Sequence, residues 1–313
     1  MRAPNGLLNQ ADPEGSVTQC FAIAAVQVLL SVPRFRESLV QLTPFRDGLA
    51  RSSNILQCLV KLTTALIARR NHQSMFQQFM TAACYSGVLH SRYLHGENDC
   101  AEFLFALLLH LVNQPEITDA LLSNVFDTAT QFRVSDSFQC SVCNHVWLAH
   151  RARSARFERH VVLPVALLKG KNKTLDSALL HTTFPHEIEH VCSNAACRQR
   201  TKVIKTAQYL SAPDILLIQI ARPRGKQKTA YVNVSVRENL SVFKSNYVLR
   251  GVAMHKGATV NSGHYTALVS RDDDWFALDD NSCQAVAAEH ELASAKFKSQ
   301  VVLLAYERVA VSE

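Results

Sequence analysis

The chain has 313 residues, 48% of them hydrophobic and 19% charged, a balance that suits a globular protein with a large core and excludes a disordered one. Thirty-three Lys and Arg stand against 26 Asp and Glu, a net charge of +7. The basic residues are scattered, however, and their densest runs (150–160 and 222–228) lack interleaved stacking aromatics, so solvated loops are expected there and no nucleic-acid surface.

The longest apolar run, 103–112, is about a third to a half of what a bilayer needs, so no membrane span is expected. The first fifteen residues hold no apolar signal segment, and an intracellular protein, cytoplasmic or nuclear, is the expectation. Nine cysteines in that setting favour reduced thiols, metal ligands or catalysis over a disulfide framework.

No internal repeat or low-complexity tract is visible, and residues 20–112 read mostly as helices. "FAIAAVQVLLSV" is an apolar helix ending at Pro33. "SNILQCLVKLTTALIARR" carries apolar residues at helical spacing, and "NDCAEFLFALLLHLV" is a further apolar helix opening on Asn98 and Asp99, both suitable caps. Cys20 heads the first of these. Read alone it is either a buried packing thiol or a nucleophile at a helix N-terminus.

From about residue 130 the pattern changes to short alternating segments rich in β-branched residues: "ERHVVLPVAL", "DILLIQIA", "AYVNVSV", "YVLRGVAMH", "HYTALVS", "DWFALDD" and "QVVLLAYERV". A short helix, "TLDSALLHT", interrupts them. A helical first half followed by an antiparallel β half is the α+β class.

Two cysteine pairs lie in the β half. Cys140 and Cys143 form "CSVC", and Cys192 and Cys197 form "CSNAAC". Each pair is the size of a knuckle that directs two thiolates at one ion, and zinc takes four such ligands tetrahedrally. A structural zinc is expected, with no open position for catalytic water. His145, His186 and His190 lie close enough in sequence to replace one ligand.

The segment "NSGHYTALVSRDDDWFALDDNS" carries the acid–base chemistry. His264 stands at a loop-to-strand junction, and Asp279 and Asp280 end the next short strand. In a hairpin Asp279 returns beside His264, where a carboxylate fixes the imidazole tautomer and stabilises the imidazolium. Two aspartates after a strand also suit a plain turn. Cys20 shifts that balance, because a helix N-terminus and a nearby imidazolium both favour a thiolate, and a Cys, His and Asp far apart in sequence are the layout of a cysteine hydrolase.

These residues resemble the catalytic domain of the ubiquitin-specific proteases, the papain-like deubiquitinases, over almost the whole chain. "CFAIAAVQVLL" is similar to that family's nucleophile box and "ENDCAEFLFALLLHL" to its QQDAxEFLxxLL segment. The two knuckles with the short helix between them follow in the family's order. "YVLRGVAMHKGATVNSGHYTALVSRDDDWFALDDNSCQAV" resembles the histidine box, and "VVLLAYER" the closing strand.

The resemblance implies a papain-like fold forming one catalytic domain over residues 1–313: a helical thumb over about 1–128, fingers pinned by one structural zinc over about 129–210, and a palm over about 211–313. It implies Cys20 as nucleophile, His264 as general base, Asp279 as its orienting partner and Asp280 as an assisting acid. Asp99 and Glu102 would receive the basic tail of ubiquitin, and the loop 255–263, with Gly263 and the adjoining Tyr265, would border the channel for its Gly–Gly terminus.

The implied partner is ubiquitin on its protein conjugates, the implied state a monomer, and the reaction hydrolysis of the isopeptide bond through a thioester. A protease for SUMO or NEDD8, or a weakly active ubiquitin-binding scaffold, are the alternatives. The family's "GLxNLGNTC" is altered here to "GLLNQADPEGSVTQC". Gly15 stands at the offset of the asparagine that donates to the oxyanion, and about six residues are inserted, which leaves Gln19, Asn9 and Ser16 as candidate donors. "LKRF" is replaced by "IARP".

Overall fold

The computed structural model describes residues 3–8, 19–43, 54–86, 98–112, 130–148, 158–167, 174–209, 211–221, 233–259 and 262–309. Among the described residues five helices come first: α1 (Cys20–Ser31), α2 (Pro33–Gln41), α3 (Asn54–Ala68), α4 (His72–Tyr85) and α5 (Cys100–Val112). Every residue of α1 is buried, as expected for a helix apolar on all sides. It stops because Val32, ahead of a proline, is driven to extended backbone (φ −73°, ψ 114°), and Pro33 then opens α2 in the first turn, where its missing N–H costs nothing.

The α2 N-terminus is met by the buried Glu307. One carboxylate oxygen of Glu307 accepts the Arg34 N–H at 3.3 Å and the other accepts Arg250 Nε at 2.9 Å. A carboxylate so enclosed needs that compensation.

The β half forms two sheets. The smaller has the order β2-β1-β6-β5, with β3 paired to β1, from β1 (Phe132–Cys140), β2 (Val146–Leu148), β3 (Glu158–His160), β5 (His186–Val191) and β6 (Arg200–Tyr209). The larger has the order β12-β11-β10-β9-β13-β7-β4, with β8 paired to β9. Its strands are β4 (Leu163–Ala166), β7 (Ile215–Ala221), β8 (Asn239–Val242), β9 (Ser245–Thr259), β10 (Ser262–Arg271), β11 (Asp274–Asp279), β12 (Ser282–Val286) and β13 (Val301–Val309). Only β4–β7 is a parallel pair among the described ladders.

Side chains of the larger sheet alternate between two cores. Ala267 and Val269 of β10, with Leu303 and Ala305 of β13, face the core shared with α1, α3, α4 and α5. Leu268, Leu304 and Tyr306 face the opposite core, closed by α6 (Leu175–Thr183) and by α8 (Ala295–Gln300), which follows α7 (Ala288–Ala293). Each fully buried Leu or Phe in these layers contributes about 1.5–3 kcal/mol. A ring ladder ties the helices together: Phe21 and Phe103 meet edge to face at 5.5 Å, and Phe103 and Phe79 at 6.5 Å.

The α+β architecture is the one expected. The "AYVNVSV" segment differs: its described part, 233–236, forms only an isolated bridge between Ser235 and Thr174, with Val234 and Val236 buried. Alternation there reflects packing beneath α6 rather than a strand. None of the described helices is long and apolar enough to cross a membrane.

Candidate active site

Cys20 is the first residue of α1 and only 1% exposed. Gln19, just before it, accepts the Ala22 and Ile23 N–H groups through its carbonyl. The thiol therefore sits at the positive end of a helix anchored on all sides in the core.

His264 lies where β10 enters the sheet. The β9–β10 register slips between Ser262 and His264, which pairs with Lys256, so an irregularity of the ladder lies directly before the imidazole. Gly263 occupies the slip. A Cβ there would fall 2.4 Å from His255 Nε2 and 2.5 Å from the Lys256 carbonyl oxygen, so only glycine fits the approach. Asp279 ends β11, and Asp280 (φ 50°) begins the two-residue turn to β12.

The antiparallel β10–β11 pairing brings the three side chains together. His264 Nε2 and Asp279 Oδ1 are 2.6 Å apart, and Asp280 Oδ2 is 3.9 Å from the same nitrogen. With Nε2 occupied, the ring's Nδ1 is left to face the thiol. A hydrogen bond with Cys20, reinforced by Asp279 against the opposing effect of burial, pushes the His264 pKa up to about 9. The arrangement stores a proton on an imidazole between a thiol and a carboxylate.

The other sequence candidates take different places. Asp99 caps α5, accepting the Ala101 and Glu102 N–H groups at 2.8 and 3.0 Å, and Glu102 is exposed in the first turn. Tyr265 is 6% exposed, its ring 4.5 Å from that of His255. Its hydroxyl accepts the Cys100 N–H, and burial pushes its pKa well up.

Gln19 pairs reciprocally with Gln77 on α4: Gln77 Nε2 donates to Gln19 Oε1 at 3.0 Å, and Gln19 Nε2 returns the contact at 3.5 Å. Nothing in the sequence pattern singled out Gln77. Asn9 and Ser16 lie outside the described residues.

The four knuckle cysteines converge. The sulfurs of Cys140, Cys143, Cys192 and Cys197 all lie within 4.8 Å of one another, and Cys143 and Cys192 are 3.6 Å apart. Four thiolates around a tetrahedral ion at ~2.3 Å stand about 3.8 Å from each other, so the donor set fits. Backbone N–H groups of Val142 and Asn194 point at Cys140 and Cys192, each at 3.4 Å. Amide hydrogen bonds, that of Cys143 foremost, lower the Cys140 thiol to about 7.

None of the three nearby histidines joins the group. His145 meets Ser193, while His186 and His190 contact backbone carbonyls.

A family model described as ubiquitin carboxyl-terminal hydrolase matches residues 15–306. The chain is 23% identical over 310 residues to the mouse ubiquitin carboxyl-terminal hydrolase 17-like protein C, covering 90% of this chain but only 53% of that protein. It is 23% identical to ubiquitin carboxyl-terminal hydrolase 12 of Salmo salar (86% of this chain, 80% of the relative) and 24% identical to ubiquitin carboxyl-terminal hydrolase 4 of Arabidopsis thaliana (85% and 82%).

Among solved structures, the fold is similar to that in the SAGA DUB module of Ubp8, Sgf11, Sus1 and Sgf73 bound to monoubiquitin. The TM-score is 0.76 at 19% identity, over 100% of this chain and 72% of the matched one. The yeast SAGA DUB module with an Sgf73 variant gives 0.74 at 20% identity. With the match running from just before Cys20 to the closing strand β13, the chain belongs to the ubiquitin carboxyl-terminal hydrolase family.

Proposed function

We propose that the chain is a thiol-dependent deubiquitinase that cleaves the isopeptide bond after the C-terminal glycine of ubiquitin. The observation that carries this reading is His264 held between Cys20 and Asp279, with the imidazole made basic enough by both neighbours to hold a proton. The Cys20 thiolate attacks the glycine carbonyl carbon. His264 gives its proton to the departing lysine amine, and a thioester to Cys20 remains. Water, deprotonated by His264, then attacks the thioester carbonyl and releases ubiquitin and the thiol. Asp279 keeps Nδ1 aimed at the sulfur, and Asp280 adds negative potential behind the ring.

The tetrahedral intermediate needs a donor for its oxyanion. Among the described residues Gln19, held by Gln77 one residue before the nucleophile, is the donor placed to supply it.

The helices would form the thumb, the smaller sheet the fingers and the larger sheet the palm. Ubiquitin's tail would enter past Asp99, Glu102, Gly263 and Tyr265. Cys140, Cys143, Cys192 and Cys197 would hold one structural zinc, which closes the fingertip by fastening the β1–β2 turn to the segment between β5 and β6.

The test is incubation with a ubiquitin bearing a C-terminal electrophile, followed by peptide mapping. An adduct at Cys20 that vanishes in Cys20→Ala is expected. No adduct despite measurable ubiquitin binding would leave a scaffold, and faster turnover of SUMO or NEDD8 conjugates would replace the substrate.

A further inference from the structure

The segment Ala3–Leu8, which runs into the altered box ahead of Cys20, touches the turn that carries both candidate acids. The Leu7 N–H donates to the Asp280 carbonyl oxygen at 2.9 Å, and the Leu7 side chain is fully buried. One residue earlier, a Cβ on Gly6 would fall 2.4 to 2.5 Å from the backbone C, Cα and O of Asn281, so the two main chains lie in direct contact. Asp280 and Asn281 are the two residues of the β11–β12 turn, and Asp279 stands immediately before them.

The segment is fixed at its other points to the helices. Asn5 Nδ2 donates to the Leu66 carbonyl of α3 at 2.7 Å, and Gln27 of α1 donates to the Asn5 carbonyl at 2.7 Å. Leu8 exchanges two hydrogen bonds with the Gln73 side chain of α4, at 2.8 and 3.0 Å. The turn needs such support: Asp280 is held at φ 50°, Asp279 and Asn281 are exposed, and β12 is an edge strand.

We propose that residues 3–8 are a positioning strap, which fastens the Asp279–Asp280 turn to the same helix that carries Cys20 and so fixes the carboxylates against His264. The strap deepens the deubiquitinase reading and rests on it. Gln27 lies two helical turns along α1 from Cys20, so nucleophile and acid are referenced to one rigid body through the six residues 3–8. Gly6 and Leu7 act through the turn and touch no substrate.

Gly6→Ala in the full chain is the direct test, because the added Cβ meets backbone and either strap or turn must yield. On a ubiquitin fluorogenic substrate, kcat is expected to fall about ten-fold with KM changed by less than about two-fold, as for a sub-ångström misplacement of a catalytic group. The His264 ring titration, followed by NMR, is expected to move to lower pH as the Asp279 contact weakens.

Asn5→Ala removes one anchor and leaves core and turn intact, and about a two- to three-fold change in the same direction is expected. This second variant decides the matter where the first does not fold. A strap with only a structural role lowers the melting temperature while kcat and the imidazole titration stay at wild-type values, and that result overturns the proposal. Absence of Cys20 labelling in the wild-type protein would instead remove the deubiquitinase reading, and the substrate-free imidazole titration would still decide the strap.

Discussion

His264 Nε2 lies 2.6 Å from Asp279 Oδ1 and 3.9 Å from Asp280 Oδ2, so the two adjacent acids are not equivalent. The first is within hydrogen-bonding range and the second acts only through its field. Asp279→Asn keeps the shape but offers an amide that can present its N–H to the ring, and the imidazolium loses its counter-charge. Its kcat is expected to fall on the order of 10²-fold, with Asp280→Asn costing clearly less. Steady-state kinetics on both variants check this, and a larger loss at Asp280 would exchange their roles.

The pH behaviour of His264 follows from its neighbours. Cys20 is the leading cause of the rise to about 9, with Asp279 next. A folded-state pKa above the ordinary 6.5 or so means that this group's contribution to stability is complete below about 6.5 and fades as pH rises through 9. Activity is expected to share that alkaline limit, since above it the leaving amine finds no proton on the ring. Cys20→Ala removes the main cause, so the ring's NMR midpoint is expected to move down toward the ordinary value. A midpoint unchanged in that variant would show that the thiol does not contact the imidazole.

Much of the site was legible because its parts are local signals. Cys20 opens a helix that is apolar on every side, each knuckle is a short cysteine pair, and the His264–Asp279 separation is one hairpin. The Gly6–Asn281 and Gln19–Gln77 contacts were not legible, for a shared reason. Each joins residues with no spacing relationship: a glycine chosen for the neighbour it must admit, and a glutamine on a helix face where any polar residue would satisfy the amphipathic pattern. The long strands β1 and β6 of the smaller sheet were equally quiet. They carry Ser, Asp, Gln, Lys and Thr along with their apolar residues, because one face of their sheet is open to water. Helix α4 is masked by three glutamines and a threonine among its apolar positions.

Asp99 has a role that needs no substrate, since it caps α5 with two hydrogen bonds. Asp99→Ala is expected to cost about 1 kcal/mol in denaturant unfolding. If it also receives ubiquitin's basic tail, KM rises as well. Glu102→Gln separates the two effects, because Glu102 is exposed in the first turn and the isosteric change is expected to raise KM with little change in stability. A KM unaffected in both variants would remove this acidic pair from the tail-binding surface.

The cysteine cluster gives a prediction independent of catalysis. Elemental analysis of carefully purified protein is expected to find about one zinc per chain, and Cys140→Ser or Cys192→Ser to lose it. Losing the metal frees the β1–β2 turn from the segment after β5, so a lower melting temperature and a raised KM for ubiquitin are expected, with kcat less affected because His264 and Cys20 belong to other elements. Protein free of metal yet equally stable would mean that the four sulfurs merely pack.

Gln19 and Gln77 test where the oxyanion is received. A preorganised donor of this kind is worth about 2.7–4 kcal/mol of transition-state stabilisation, so Gln19→Ala is expected to lower kcat about 10²-fold with little change in KM. Gln77 does not reach the substrate in this reading. It fixes the Gln19 amide through the 3.0 Å hydrogen bond, so Gln77→Ala is expected to cost roughly ten-fold, and the double variant little more than Gln19→Ala alone, because the two act as one unit. Additive losses would show that the residues act separately, and a Gln19→Ala variant of wild-type kcat would move the donor elsewhere, to the chain before Cys20.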